Sequence, residues 1–224
     1  MSSVKKYLYI LFLIPITYSC ISTPDNFPTV PEIAFEDMVF VNTAGADSLI
    51  VSIKFKDAEG DLGLNPTDIN PPFQEINFRR NNDGTLITYA NRPPNAPNFN
   101  PLDWAINPLV NNVRVNDTIW VEQNPDHFNI FVKFFIKRNG TFNEFRWQDP
   151  PFFTTFNGRF PRIFNSAEGQ PVEGVIQYSM LSFGWQSIFR NDTIRIDVQI
   201  QDRALNKSNI ASSPEVTLNQ ISRR

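Results

Sequence analysis

Three features of the sequence predict an all-β fold, a sandwich of antiparallel strands interrupted by long Pro/Asn-rich loop insertions. Apolar and polar residues alternate with period two over several stretches, as in strands with one buried face. Turn dipeptides and proline clusters separate these stretches, with 18 prolines in 224 residues. Apolar spacing at the 3.6-residue period of a helix is almost lacking, which leaves a layered β architecture.

The first strand is predicted over Ile33 to Val41, where apolar residues are dense. The second is clearer: Leu49, Val51, Ile53 and Phe55 alternate with Ile50, Ser52, Lys54 and Lys56. It runs into Asp57-Ala-Glu-Gly-Asp-Leu-Gly63, whose glycines and aspartates predict a tight turn. Pro66, Pro71 and Pro72 then break regular structure, and Glu75 to Arg79 can pair with Thr85 to Tyr89 across Asn81-Asn82-Asp83-Gly84 as a hairpin. Asn91 to Pro101 is too rich in proline for a central strand and reads as a surface loop, followed by a short helical turn near Asp103 to Ile106.

Regularity resumes at Val113. In Asn129 to Lys137, Ile130, Val132, Phe134 and Ile136 share one face and Phe131 and Phe135 the other, so both faces are expected to be covered. Asn139-Gly140 is a hairpin signal that turns this strand into the next, Thr141 to Trp147. An aromatic loop follows, and then strands over Gly174 to Met180, Thr193 to Gln201 and Glu215 to Leu218. The middle one of these is the most regular, with Ile194, Ile196, Val198 and Ile200 opposite Arg195, Asp197, Gln199 and Gln201.

The start of the chain has a different character. Lys5 and Lys6 precede about ten apolar residues, and Thr17, Tyr18, Ser19 and Cys20 follow, as in an export signal. The apolar run is shorter than the ~20 residues a membrane-spanning helix needs. Cys20 is the only cysteine, so the rest of the chain can form no disulfide and depends on apolar burial. The 21 phenylalanines and four tryptophans supply that burial, at about 150–250 Å² each. The net charge of −3 becomes more negative when Lys5 and Lys6 are removed, which argues against a nucleic-acid partner.

Ser19-Cys20 after an apolar run resembles a bacterial lipoprotein signal. The resemblance implies cleavage before Cys20, lipid on that residue, a signal peptide over 1–19 and a proline-rich tether over 20–31. The domain would then occupy 32–224, either as one unit or as two packed sub-domains meeting near 112–125. The Gly60-Asp-Leu-Gly63 turn and the Asp202-Arg-Ala-Leu-Asn-Lys-Ser208 turn look like loops of bacterial immunoglobulin-like, PKD-like or fibronectin-like modules. Together with the signal they resemble envelope lipoproteins of Bacteroidetes. That resemblance implies an immunoglobulin-like sandwich held at the outer membrane and a non-enzymatic role in protein binding or envelope assembly. A second implied role is accessory glycan binding in nutrient uptake. Asp25 resembles the acidic surface-export signal of some such lipoproteins, which leaves a periplasmic or an external face open.

Three sets of residues are candidates for chemistry. Asp57, Glu59 and Asp61, spaced two apart in a glycine-containing turn, can present hard oxygen ligands to calcium, and Asp202 can complete the set if the first and last strands are neighbours. Leu62 stands where an EF-hand loop requires glycine, so that motif is excluded. The competing reading is a solvated turn whose aspartates bond their own backbone. Phe152, Phe153, Phe156 and Phe160, with Trp147 and Arg159, can stack on a sugar or dock a partner, or else cap the end of the sandwich. Asp47-Ser48-Leu, Asp117-Thr118-Ile and Asp192-Thr193-Ile resemble an O-glycosylation motif of exported Bacteroidetes proteins, which implies sugars on Ser48, Thr118 and Thr193; they also read as a common way into a strand. No Gly-x-Ser-x-Gly elbow accompanies the single histidine, His127, so nothing points to a Ser-His triad.

Overall fold

The computed structural model describes residues 27–163 and 169–223. Cys20, Asp25, the predicted signal and most of the predicted tether lie outside the described residues.

The chain runs through β1 (Glu32–Val41), β2 (Asp47–Asp57), β3 (Ile76–Phe78), β4 (Trp104–Ile106), β5 (Leu109–Val110), β6 (Val113–Arg114) and β7 (Thr118–Gln123). It continues through β8 (Ile130–Arg138), β9 (Thr141–Phe145), β10 (Val172–Ser182), α1 (Trp185–Phe189), β11 (Ile194–Ile200), β12 (Ala211–Ser212) and β13 (Ser222–Arg223). The fold is therefore all-β, in several sheets. Two sheets have four strands, in the orders β10-β2-β1-β13 and β12-β11-β8-β9. A smaller sheet β3-β7-β4 and the pair β5-β6 belong to the long excursion between β2 and β8.

One buried cluster draws on both four-stranded sheets. Leu49, Val51, Ile53 and Phe55 of β2 join Ile130, Val132, Phe134 and Ile136 of β8 and Ile194, Ile196, Val198 and Ile200 of β11. The two isoleucine-rich strands pair antiparallel in register, with Ile196 opposite Phe134 and Ile200 opposite Ile130, so their apolar faces coincide. β1 changes face partway: its register shifts between Phe35 and Asp37, so Ile33 faces the core before the bulge and Met38 and Phe40 after it. On the outer face, Phe131 lies under Lys207 at 4.7 Å and Phe135 under Arg195 at 4.5 Å. Long cationic side chains cover these outward rings.

Three sequence expectations are corrected. Asp103 to Ile106 is no helical turn: Trp104–Ile106 pairs with β7 because Trp104 buries its ring against Tyr89 and Trp120. The hairpin across 81–84 is corrected in part: Thr85 to Tyr89 closes it through an Arg80–Leu86 bridge and an Ile87 N–H to Arg79 carbonyl bond of 3.2 Å, but Ile76–Phe78 pairs with β7. Glu215 to Leu218 contributes only a Val216–Ile194 bridge, since Pro214 offers no N–H and the chain turns at Thr217–Gln220. The helix Trp185–Phe189 was not expected; both of its aromatic ends are fully buried.

The registers also define the two ends of the structure. Glu32 lies opposite Lys56, Val172 opposite Asp57 and Ile200 opposite Ile130. The start of β1, the end of β2, the start of β10 and the ends of the β8–β11 pair thus share one pole. The excursion 58–129 and the turn 201–210 leave from this pole, and the connection 146–171 returns to it through a Gly158–Ile130 bridge.

Candidate functional site

β2 delivers Asp57 to the pole as its last residue, and the chain then reverses through Gly60 (φ 63°) and Gly63 (φ 94°). A Cβ at Gly63 would run into the backbone of Pro161 and Arg162, so the turn and the returning connection fit only with glycine there. The Asp61 N–H donates to Asp57 Oδ2 at 3.2 Å. β11 delivers Asp202 to the same place: Leu62 and Asp202 form a bridge, and the Arg203 N–H donates to the Asp61 carbonyl at 3.3 Å.

Carboxylate oxygens of Asp57, Asp61 and Asp202 consequently lie within 4.8 Å of one another. Asp57 is 0% and Asp202 3% exposed. Asp202 accepts from the Asn206 N–H at 2.7 Å and from Asn206 Nδ2 at 2.9 Å. The Oδ1 atoms of Asp57 and Asp61 are shielded from solvent and have no hydrogen-bond partner among the described residues. Burial, and then the charge of Asp61, push the Asp57 carboxyl up to about 6. The Asp61 carboxyl is also raised, by burial and then by Asp202, with Arg203 opposing. Glu59 is exposed and stands outside this group. Asp202 arrives because β2 and β11 end at one pole; the neighbours of β1 in its sheet are β2 and β13, the latter paired in parallel.

The aromatic set divides. Trp147 and Phe160 are buried, and Phe156 packs between Trp147 (4.8 Å) and Trp185 (4.7 Å). These rings continue the core through Phe134 and Phe189. Arg159 turns inward, and its Nη2 donates to the carbonyls of Asn65 (2.8 Å) and Asp68 (2.9 Å), tying the loop to the excursion. Phe152 is 37% exposed but still contacts Trp147 and Phe145. Phe153, at φ 45°, lines an open groove of about 520 Å³, whereas Trp147 and Phe156 border a smaller pocket of about 290 Å³. Trp120, Arg79, Glu122 and Arg146 line the same groove, and Arg79 pairs with Glu122 at 2.9 Å. Sequence reasoning missed Trp120; its signal was an aromatic residue on the polar face of the alternation Ile119-Trp120-Val121.

Ser48 is buried and its hydroxyl bonds Ser179 at 2.7 Å, so the folded protein hides it from a glycosyltransferase. Thr118 and Thr193 are half-buried. The aspartates before all three work locally: Asp47 Oδ1 accepts from Thr43 N–H, Asp117 Oδ1 from Thr118 N–H, and Asp192 forms a two-pronged pair with Arg138. His127 Nδ1 bonds the Phe73 carbonyl at 3.0 Å and so carries the proton there. Comparison with protein-family models, with curated proteins and with solved structures finds no match.

Proposed function

We propose that the protein is a non-catalytic, lipid-anchored module of the cell envelope, held through Cys20, whose immunoglobulin-like sandwich presents a groove to a partner protein. The observation that carries this reading is the groove between the excursion and the aromatic loop, where Trp120 and Phe153 stand among Arg79, Glu122, Arg146 and Asp149. An aromatic floor with flanking charges of both signs is the composition expected of a contact site. The immunoglobulin-like arrangement is supported by strand order: β10-β2-β1 and β12-β11-β8-β9 match sheets E-B-A and G-F-C-C′ of that fold. The groove-forming segments are then its B–C and C′–E connections, which is where such modules carry binding loops.

Anchoring through Cys20 sets a geometry. The Ala58 N–H donates to the Pro28 carbonyl at 2.9 Å, so the chain joins the domain at the loop pole. The residues between Cys20 and Phe27 can span at most ~25 Å, so the lipid holds this pole near the bilayer. The partner is accordingly membrane-proximal. Two measurements test the reading: the mass of the N-terminal peptide, which must carry acyl chains on Cys20, and photo-cross-linking from Gln148, an exposed residue lining the groove. An unacylated N-terminus removes the anchor, and no adduct from Gln148 removes the groove.

A glycan ligand is the second reading, favoured by the pairing of Trp120 and Phe153 with polar neighbours in one groove. Binding on a glycan array that disappears in Trp120→Ala would select it over a protein partner.

A further inference from the structure

We infer that Asp57, Asp61 and Asp202 form a binding site for one hard divalent cation of the calcium class, which pins the turn after β2 to the turn after β11. The inference is independent of the groove and of what fills it. Three carboxylates from two separate strand ends converge within 4.8 Å. Two oxygens on a single calcium ion, each 2.3–2.6 Å from it, stand no more than ~5 Å apart, so the spacing suits one shared ion.

The second observation is the state of Asp57. This side chain is fully buried, its Oδ2 is taken by the Asp61 N–H, and its Oδ1 has no hydrogen-bond partner among the described residues. A shielded carboxylate oxygen without a partner is costly unless a cation or donor meets it. Asp61 Oδ1 shares that condition. The Arg203 guanidinium, which acts on Asp61, brings one positive charge to three acids.

The donor set selects the ion. All three ligands are carboxylates, and among the described residues no histidine or cysteine joins them, which disfavours zinc. Three protein carboxylates in one site exceed the one or two with which magnesium is usually held, whereas calcium accepts six to eight oxygens in flexible geometry. Bound there, the ion would close the base of the 58–129 excursion against the F–G-type turn and so steady the pole that carries the groove.

The test is calorimetry and thermal melting of the full chain in detergent after chelation, titrated with calcium or magnesium chloride. Calcium should bind at about millimolar affinity or tighter and raise the melting temperature, with magnesium at least about tenfold weaker. Asp57→Asn keeps one carbonyl oxygen to accept from the Asp61 N–H while removing one charge from the cluster. It should melt no lower than the parent in chelator yet bind calcium at least about tenfold more weakly, and Glu59→Gln should bind like the parent. Absence of heat and of any melting shift at ~10 mM calcium would overturn the site, as would parent-like calcium binding by Asp57→Asn or an equal loss in Glu59→Gln.

Discussion

Phe156→Ser and Phe153→Ser, three positions apart in one aromatic loop, should differ sharply in stability. Phe156 packs its ring 4.8 Å from Trp147, 4.7 Å from Trp185 and 5.6 Å from Phe134. Removing a fully buried phenylalanine costs about 3–5 kcal/mol. Phe156 is half-buried, so roughly half of that applies, and the lost ring pairs add about 1 kcal/mol. The expected loss is about 3 kcal/mol, or about 6–12 °C in melting temperature for a chain of this size. Phe153 lines the open groove and takes part in none of these ring pairs. Its replacement should cost less than about 1 kcal/mol, as surface substitutions do, while reducing partner or glycan binding. Urea melts followed by tryptophan fluorescence measure both changes. Equal destabilisation by the two variants, or a stable Phe156→Ser, would refute the division of this loop into core and contact residues.

Other perturbations have defined outcomes. In chelator, stability should fall as pH rises from about 4 to 7. The folded Asp57 carboxyl, pushed up to about 6, holds its proton where the unfolded one at 3.8 has lost it, so the group's contribution is largest at low pH. Two pH units correspond to at most about 3 kcal/mol, and comparison with Asp57→Asn by urea melts at both pH values isolates the share of this carboxyl. Asn129→Ala should cost about 1–3 kcal/mol, because the buried amide exchanges two bonds with Phe160, at 2.9 and 2.8 Å, and the Phe160 N–H would be left unpaired while its carbonyl keeps the Leu64 N–H. Gly63→Ala should destabilise by at least about 1 kcal/mol in the same melts, since φ 94° and the Pro161–Arg162 backbone both oppose a Cβ. On the proposed anchoring, Cys20→Ala should abolish acyl mass at this position in intact-mass measurement, because the thiol that would carry the lipid is gone.

Periodicity carried the strands that cross the core. β2, β8 and β11 alternate over seven or more residues, and burial follows that alternation in β8 and β11, while β2 also buries Ser48 and Ser52 on its other face. Asn139-Gly140 adopts positive φ at both positions, 51° and 81°, as a two-residue hairpin of the I′ kind requires, so the β8–β9 turn was readable from two letters. The bulge at Glu36 was not, because a one-residue insertion shows only in the partner's register. The pairs within the excursion are two or three residues long on at least one side, too short for any period to register. At the acidic turn the spacing of Asp57 and Asp61 pointed to oxygen ligands, and Asp202 was named for a different strand adjacency from the one that brings it there. In the aromatic loop the composition was legible, but exposure depends on tertiary packing: Trp185, outside the loop, claims Phe156 and leaves Phe153 in the groove.

Photo-cross-linking in intact envelopes, from Gln148 in the groove and from Asn143 on β9, an exposed residue outside it, addresses the binding role most directly. The expected result is a discrete adduct with one membrane-proximal protein from Gln148, lost in Trp120→Ala and absent from Asn143. No adduct from Gln148, or the same adducts from both positions, would contradict a groove that binds a partner.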